Sequence, residues 1–255
     1  FGVGGDFWLV KTDSSGSMQW NKTYGGTSGD VAKSVVQTYD GGYALGGYTY
    51  TGSNWDFFLV KTNSTGNMQW NKTYGGTNSD YAYSVVQTKD GGYAMAGYSS
   101  SFGAGDDFWL VKTNSAGNME WNKTYGGTNS DYGYSVVQTN DGGYAMAGYT
   151  ASFGVGGDFW LVKTDSSGSM QWNKTYGGTN YDAAYSVVQT SDGGYAMAGQ
   201  TASYGPVGLR LDNFWLVKLT PRTIYVRADG SVDPLTAPIQ RDGDLYTLTN
   251  NIYTS

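Results

Sequence analysis

Four aspartates recur in one setting, each a few residues after Gly-Gly-Thr: Asp30, Asp80, Asp131 and Asp182. Ca²⁺ takes oxygen ligands, so four carboxylates brought to one loop face would form a ring able to hold it. The competing role is local. An Asp in a tight loop accepts backbone N–H bonds, and one per repeat is too regular for a single asymmetric site. Asp40, Asp90, Asp141 and Asp192 open Asp-Gly-Gly triplets and read as turn residues. Asp106 and Asp107 are adjacent carboxylates in one repeat only. A glycosidase needs two carboxylates flanking one bond at a set separation, and near-identical repeats are poorly suited to building one such site.

Aromatic residues form the next candidates. Phe102, Phe153 and Tyr204 lie in linkers, with Tyr48, Tyr98 and Tyr149 nearby. They can stack on sugar rings, since Tyr offers contact area at low entropy cost; the plainer role is to plug the edges of the sheets. Asn-Lys-Thr occurs at Asn21, Asn71, Asn122 and Asn173, and Asn63-Ser-Thr adds a fifth glycosylation sequon. A sequon is a short motif, and the same triplet makes a soluble strand edge that resists pairing. The chain has no His and no Cys. Thiol chemistry, disulfides and every His-based catalytic scheme are thereby excluded. These residues predict a chain that is not an enzyme, with no catalytic residue and no cofactor other than Ca²⁺.

These side chains are positioned by a repeat. Trp-Asn-Lys-Thr-Tyr-Gly-Gly-Thr starts at Trp20, Trp70, Trp121 and Trp172, and a Phe-Trp/Phe-Leu-Val-Lys segment starts at Phe7, Phe57, Phe108, Phe159 and Phe214. A fixed period of about 50 residues is the signature of propellers, solenoids or arrays. Within one period, Lys33–Thr38 is a β-prone run, Tyr39–Gly42 a hairpin turn and Tyr43–Thr49 a second strand. A linker leads to Asp56–Thr62, then a turn at Asn63–Gly66 and a fourth strand, Met68–Tyr74. Four short strands joined by tight turns make a propeller blade, with strands a to d in order.

Side-chain size agrees. Strand b carries Ala94, Ala96 and Gly97, whereas strands c and d carry Phe108, Trp109, Leu110, Met119 and Trp121. Small inner and large outer residues fill a wedge. Strand c is apolar in consecutive positions, as where neighbours cover both faces. The fold class is all-β: a β-propeller of four-stranded antiparallel blades, about five blade-like units, compatible with a fragment of a larger ring. Closure stays open between a four-bladed ring, part of a larger ring, and an arc in which Thr223–Ala228 supplies a strand. The tail, 221–255, lacks the repeat, holds Pro221, Pro234 and Pro238, and reads as a linker or the start of a second β-rich domain after propeller repeats in 1–220.

The net charge is −6. No basic stripe serves nucleic acid, and no apolar run is long enough for a membrane helix. The chain opens without Met on Phe-Gly-Val-Gly-Gly-Asp, which recurs at Phe153–Asp158, and reads as a piece of a longer precursor. Its unit, from Asp131 through Ser-Val-Val-Gln-Thr and Asp-Gly-Gly-Tyr-Ala-Met-Ala-Gly-Tyr-Thr to Gly178, resembles the repeat of secreted archaeal and bacterial β-propeller proteins. The Phe-Trp-Leu-Val-Lys-Thr-Asp-Ser-Ser-Gly core at Phe159–Gly168 is also similar to the quinoprotein-type repeat, without its cofactor residues. The tail from Thr223 to Tyr253 resembles the opening of right-handed parallel β-helix domains. This resemblance implies an extracellular or cell-surface protein. The expected function is a non-enzymatic binding or adhesion scaffold that meets a glycan or protein with its loop face. The alternative is a self-associating subunit of a surface layer or filament.

Overall fold

The computed structural model describes residues 4–204 and 213–219, together with the backbone of four short strands further on. Blade 1 contributes strands c and d, β1 (Phe7–Thr12) and β2 (Met18–Tyr24). Blade 2 is β3 (Asp30–Gln37), β4 (Tyr43–Tyr50), β5 (Trp55–Thr62) and β6 (Met68–Tyr74). Blade 3 is β7 (Asp80–Gln87), β8 (Tyr93–Ser99), β9 (Asp107–Thr113) and β10 (Met119–Tyr125). Blade 4 is β11 (Asp131–Gln138), β12 (Tyr144–Thr150), β13 (Asp158–Thr164) and β14 (Met170–Tyr176). Blade 5 has β15 (Asp182–Gln189), β16 (Tyr195–Thr201) and β17 (Asn213–Leu219). Each sheet is an antiparallel meander in the order a-b-c-d, as the turn chemistry requires, and no helix occurs among the described residues.

The sheets do not close into a ring. β15–β17 and β1–β2 remain separate sheets. In the tail, β18 (Tyr225–Val226) pairs with β19 (Val232–Asp233), and β20 (Ile239–Asp242) pairs with β21 (Leu245–Leu248). The segment expected to complete blade 5 therefore pairs within the tail instead; its Asp229-Gly230 turn lies outside the described residues.

Blades stack through strand c. Its consecutive Phe and Trp face opposite neighbours, because successive side chains of a strand alternate. Phe57 meets Trp109 of the next blade at 4.5 Å, Phe108 meets Trp160 at 4.6 Å and Phe159 meets Trp215 at 4.6 Å, centroid to centroid. In the middle blades every residue of β9 and β13 is buried. β1 and β17 carry nearly the same sequence but alternate between covered and exposed, since a blade lies on one side only.

The outer rim is joined differently. Strand-d tyrosines donate to the glycine carbonyl of the next blade's c–d turn: Tyr24 to Gly66 at 2.7 Å, Tyr74 to Gly117 at 2.7 Å and Tyr125 to Gly168 at 2.6 Å. These turn glycines have φ near +77°, +74° and +79°, which favours glycine. A Cβ there would also strike the strand-d Trp of the preceding blade, Trp20, Trp70 or Trp121. Burial pushes the Tyr24 hydroxyl up to about 12 and raises those of Tyr74 and Tyr125, so each remains a donor. Tyr125→Phe is expected to cost about 1–2 kcal/mol by leaving the Gly168 carbonyl without its donor, read as a lowered urea midpoint.

The lysine of strand c has a structural role too. Lys61, Lys112 and Lys163 are buried, and each reaches the Asp of its own blade's Asp-Gly-Gly turn at 2.8 Å: Asp40, Asp90 and Asp141. The ammonium also donates to the carbonyl of the following Thr. Lys61 and Thr38 bring the Asp40 carboxyl down to about 2. At Asp141 partial burial pushes upward, but Lys163 and Thr139 outweigh it and hold the group at about 2.

Candidate functional site

Strand a carries a bulge in blades 2 to 5, and the bulge makes the most unusual surface of the molecule. Pairing skips one residue between Ala32 and Ser34, Ala82 and Ser84, Gly133 and Ser135, and Ala184 and Ser186. The extra residues are Lys33, Tyr83, Tyr134 and Tyr185. A bulge leaves a backbone group unpaired and re-aims a side chain. Part of the backbone need is met across blades: Ser34, Ser84 and Ser135 hydroxyls accept from Val85, Val136 and Val187 N–H at 3.2–3.3 Å.

The re-aimed side chains form a row. Tyr83 meets Tyr134 at 5.2 Å and Tyr134 meets Tyr185 at 5.2 Å. Lys33 Nζ stands 5.4 Å from the Tyr83 ring and 5.6 Å from the Tyr48 ring. A second row runs beside it at the start of strand a and the end of strand b. Tyr48 meets Tyr81 at 5.0 Å, Tyr98 meets Tyr132 at 4.6 Å and Tyr149 meets Tyr181 at 4.9 Å. Within a blade, Tyr81 and Tyr132 are register partners of Tyr98 and Tyr149. Trp55 extends this row, 5.3 Å from Tyr48.

The result is a tyrosine belt across four blades, on strands a and b and at the end where the d–a loops and b–c linkers lie. Most of its rings are half-buried, and Tyr181 and Tyr185 are 37% and 46% exposed. Burial, reinforced by neighbouring tyrosines, raises the hydroxyls of Tyr98, Tyr134 and Tyr181, which therefore stay neutral donors. Asp106 breaks the repeat here. Its Oδ1 accepts from Ser100 Oγ at 2.5 Å and its Oδ2 from the Tyr132 hydroxyl at 3.2 Å. Such a surface can stack flat rings and hydrogen-bond their edges.

Sequence reasoning picked out Tyr48, Tyr98 and Tyr149 but missed Tyr83, Tyr134 and Tyr185. The available signal was Asp-Tyr-x-Tyr at 80–83 and 131–134. It is uninformative until the bulge is known, because the slip in pairing decides which side the second Tyr takes.

The other expected residues lie elsewhere. Phe102 packs on Trp109 at 5.2 Å, Phe153 on Trp160 at 5.1 Å and Tyr204 on Trp215 at 5.2 Å, each on its own blade. They cover strand c and lie outside the belt's run of ring contacts. Asp30, Asp80, Asp131 and Asp182 are buried one per loop. Each accepts the N–H of the second glycine of Gly-Gly-Thr, at 2.9–3.0 Å. Among the described residues no three acidic side chains converge on a metal position. Asn122 and Asn173 accept from the indoles of Trp109 and Trp160 at 3.1 Å, and Asn21 from Trp8 at 3.4 Å. All three, and Asn71, are exposed on strand d, whereas Asn63 caps its own turn through the N–H groups of Thr65 and Asn67.

No protein-family model matches the chain, and no curated protein matches it. Solved structures similar to it include Sqt1 from Chaetomium thermophilum, at 12% identity and a TM-score of 0.39, covering 68% of this chain. The match spans 41% of the length of Sqt1. CoXyl43, a GH43 β-xylosidase/α-arabinofuranosidase from a compost metagenome, is similar at 12% identity and a TM-score of 0.37, over 81% of this chain and 72% of that one. An endo-1,4-β-xylanase from Bacteroides thetaiotaomicron follows at 9% identity and a TM-score of 0.32, over 78% and 91%. The likeness concerns fold: repeated antiparallel sheets of propeller type.

One expectation is corrected. The expectation that the chain is not an enzyme rests chiefly on its having no His and no Cys. Two of these three structures are glycoside hydrolases, and glycoside hydrolysis rests on paired carboxylates, needing neither residue. The exclusion of an enzyme is withdrawn.

Proposed function

We propose that the chain is an extracellular or cell-surface binding module that holds an extended glycan along its tyrosine belt, with adhesion as the consequence. The observation that carries this reading is the bulge. Packing between blades is secured by the Phe–Trp contacts and the strand-d tyrosines, so the scaffold has no need to spend a bulge on each strand a. Doing so presents Tyr83, Tyr134 and Tyr185 in register across successive blades. A repeated aromatic row suits a polymer of repeated rings, and the Asp106–Tyr132 bond supplies one polar point where sliding would stop. The resemblance to secreted propeller repeats supports the location. Titration of the protein with a panel of soluble polysaccharides, followed by tyrosine and tryptophan fluorescence, tests the reading. Saturable binding of at least one polymer is expected; silence across neutral, acidic and aminated glycans would overturn it.

A second reading, self-association, is favoured by a separate observation. Trp8 is 63% and Phe214 is 80% exposed, on the uncovered faces of β1 and β17. The two faces are the complementary halves of the Phe–Trp contact that joins blades 2 to 5 in succession. A blade of this same type fits each face. Sedimentation velocity across a concentration series is expected to show association that Phe214→Asp abolishes; a monomer at every concentration would sink it.

A further inference from the structure

Each d–a loop crosses from one blade to the next, and two aspartates face each other there. Strand c supplies Asp107 and Asp158; strand a of the following blade supplies Asp131 and Asp182. They approach the first glycine of Gly-Gly-Thr together. A Cβ on Gly126 would strike Asp107 Oδ1 and Asp131 Oδ2, and one on Gly177 would strike Asp158 Oδ1 and Asp182 Oδ2.

At these two junctions the strand-a carboxylates are fully used. Asp131 accepts from Gly127 N–H, from Ser152 Oγ at 2.7 Å and from Thr150 Oγ1, and Asp182 accepts from Gly178 N–H and from Ser203 Oγ at 2.6 Å. The strand-c carboxylates are not. Asp107 and Asp158 are each 4% exposed. Linker N–H groups of Ala104 and Val155 bond one side of each carboxylate, while Oδ1 is buried with no hydrogen-bond partner. Burial, with Asp131 and Asp182 facing them, raises both carboxyls. A buried carboxylate oxygen turned toward a second carboxylate lacks the positive partner that such a group needs.

The junction between blades 2 and 3 shows what that partner looks like. Its b–c linker is shorter and places Asn54 at the equivalent point. Asn54 Nδ2 donates to Asp56 Oδ1 at 3.2 Å, to the Gly76 carbonyl at 3.1 Å and to the Asn78 carbonyl at 2.6 Å. One electropositive nitrogen thus sits among a carboxylate oxygen and two loop carbonyls. The two later junctions repeat the loop, as Gly127 with Asn129 and Gly178 with Asn180. Their linkers read Gly-Ala-Gly and Gly-Val-Gly and carry no amide side chain there.

We propose that Ca²⁺ takes the place of the Asn54 amide at these two junctions, bound by Asp107 with the Gly127 and Asn129 carbonyls, and by Asp158 with the Gly178 and Asn180 carbonyls. Ca²⁺ is the cation that combines carboxylates, backbone carbonyls and water in a flexible shell, whereas Mg²⁺ demands a tight octahedron. The bound ion would clamp adjacent blades directly beneath the loop face. This differs from a ring of the four strand-a aspartates, which the fold keeps one to a loop.

The test uses EDTA-stripped protein at pH 7. Ca²⁺ at about 1 mM is expected to raise the melting temperature by roughly 5 °C. Tb³⁺ luminescence should appear through Tyr149, which stands near both Asp131 and Asp158, and Ca²⁺ should quench it by displacement. Asp107→Asn with Asp158→Asn should cut both responses to what the like junction of Asp6 and Asp30 alone supports, while melting no lower than stripped wild type because a facing like charge is gone. Asp56→Asn, at the junction filled by Asn54, should keep them. No Ca²⁺-dependent shift and no displaceable Tb³⁺ signal in the wild type would overturn the proposal, as would an undiminished shift in the double variant.

Discussion

Trp160→Ala is expected to cost about 3–5 kcal/mol, and Trp8→Ala well under about 1 kcal/mol. The two residues occupy the same position in the segment Asp-Phe-Trp-Leu-Val-Lys-Thr. Local sequence cannot distinguish them. Their surroundings can: Trp160 is 1% exposed, with Phe108 of the preceding blade against its ring and Phe153 over it, whereas Trp8 is 63% exposed. Removing the first opens a cavity between two blades that a sheet of hydrogen-bonded strands cannot collapse to fill. Removing the second takes away a ring already in water. Because stability in a repeat array is close to a sum of blade and interface terms, the loss at Trp160 should also broaden the urea transition by uncoupling blades 3 and 4. Equal costs at the two positions would mean that the blades do not stack as described.

Asp141→Asn is expected to cost about 2 kcal/mol and Asp90→Asn about half of that. Removing one partner of a buried ion pair leaves a charge without compensation, which is worth more than the pair itself contributes. The full penalty does not apply here, because Asp141 is more than half exposed and water screens the pair from that side. Lys163 would keep only neutral acceptors, the Thr164 carbonyl and Gln171. Lys112 would keep an anion, since Glu120 lies 2.8 Å away where the other blades have Gln. The pH dependence follows with a definite sign. Asp141 is held at about 2 in the folded chain, below its ordinary value near 3.8, so its contribution is complete above about pH 4 and vanishes as the pH falls through about 2. Wild type should therefore lose more stability than Asp141→Asn between those limits, in chemical denaturation repeated at several pH values.

Much of this fold is written in short-range terms. The Asp-Gly-Gly turns, the small residues of strand b and the unbroken apolar run of strand c each identify their element without reference to a partner. The contacts that give those elements their roles are long-range and are hidden by repetition. Tyr39 N–H reaches Gln87 and Lys89 N–H reaches Gln138, both at 2.8 Å and both in the next blade, so the Gln of Ser-Val-Val-Gln-Thr is a joint between blades. Lys61 is paired with an Asp 21 residues earlier. Asp107 gains its meaning only from Asp131, across a blade junction. Identical repeats give identical local signals, and they cannot say which copy a side chain will touch. The candidate site was half legible for the same reason. The strand-b tyrosines stand at strand ends, where exposure is easy to infer, whereas Tyr83, Tyr134 and Tyr185 depend on a one-residue slip in pairing that only the assembled sheet reveals.

On the proposed reading, ligand rests on the tyrosines of strands a and b and not on the linker aromatics Phe102, Phe153 and Tyr204. The most direct measurement is the affinity of one bound oligosaccharide for wild type, Tyr132→Ala and Phe153→Ala. Loss of one stacked ring together with the Asp106 bond should weaken Tyr132→Ala by about tenfold or more. Phe153→Ala, which uncovers Trp160 and touches no ring of the belt, should leave the affinity within about twofold. Unchanged binding by Tyr132→Ala, or a loss confined to Phe153→Ala, would contradict the account.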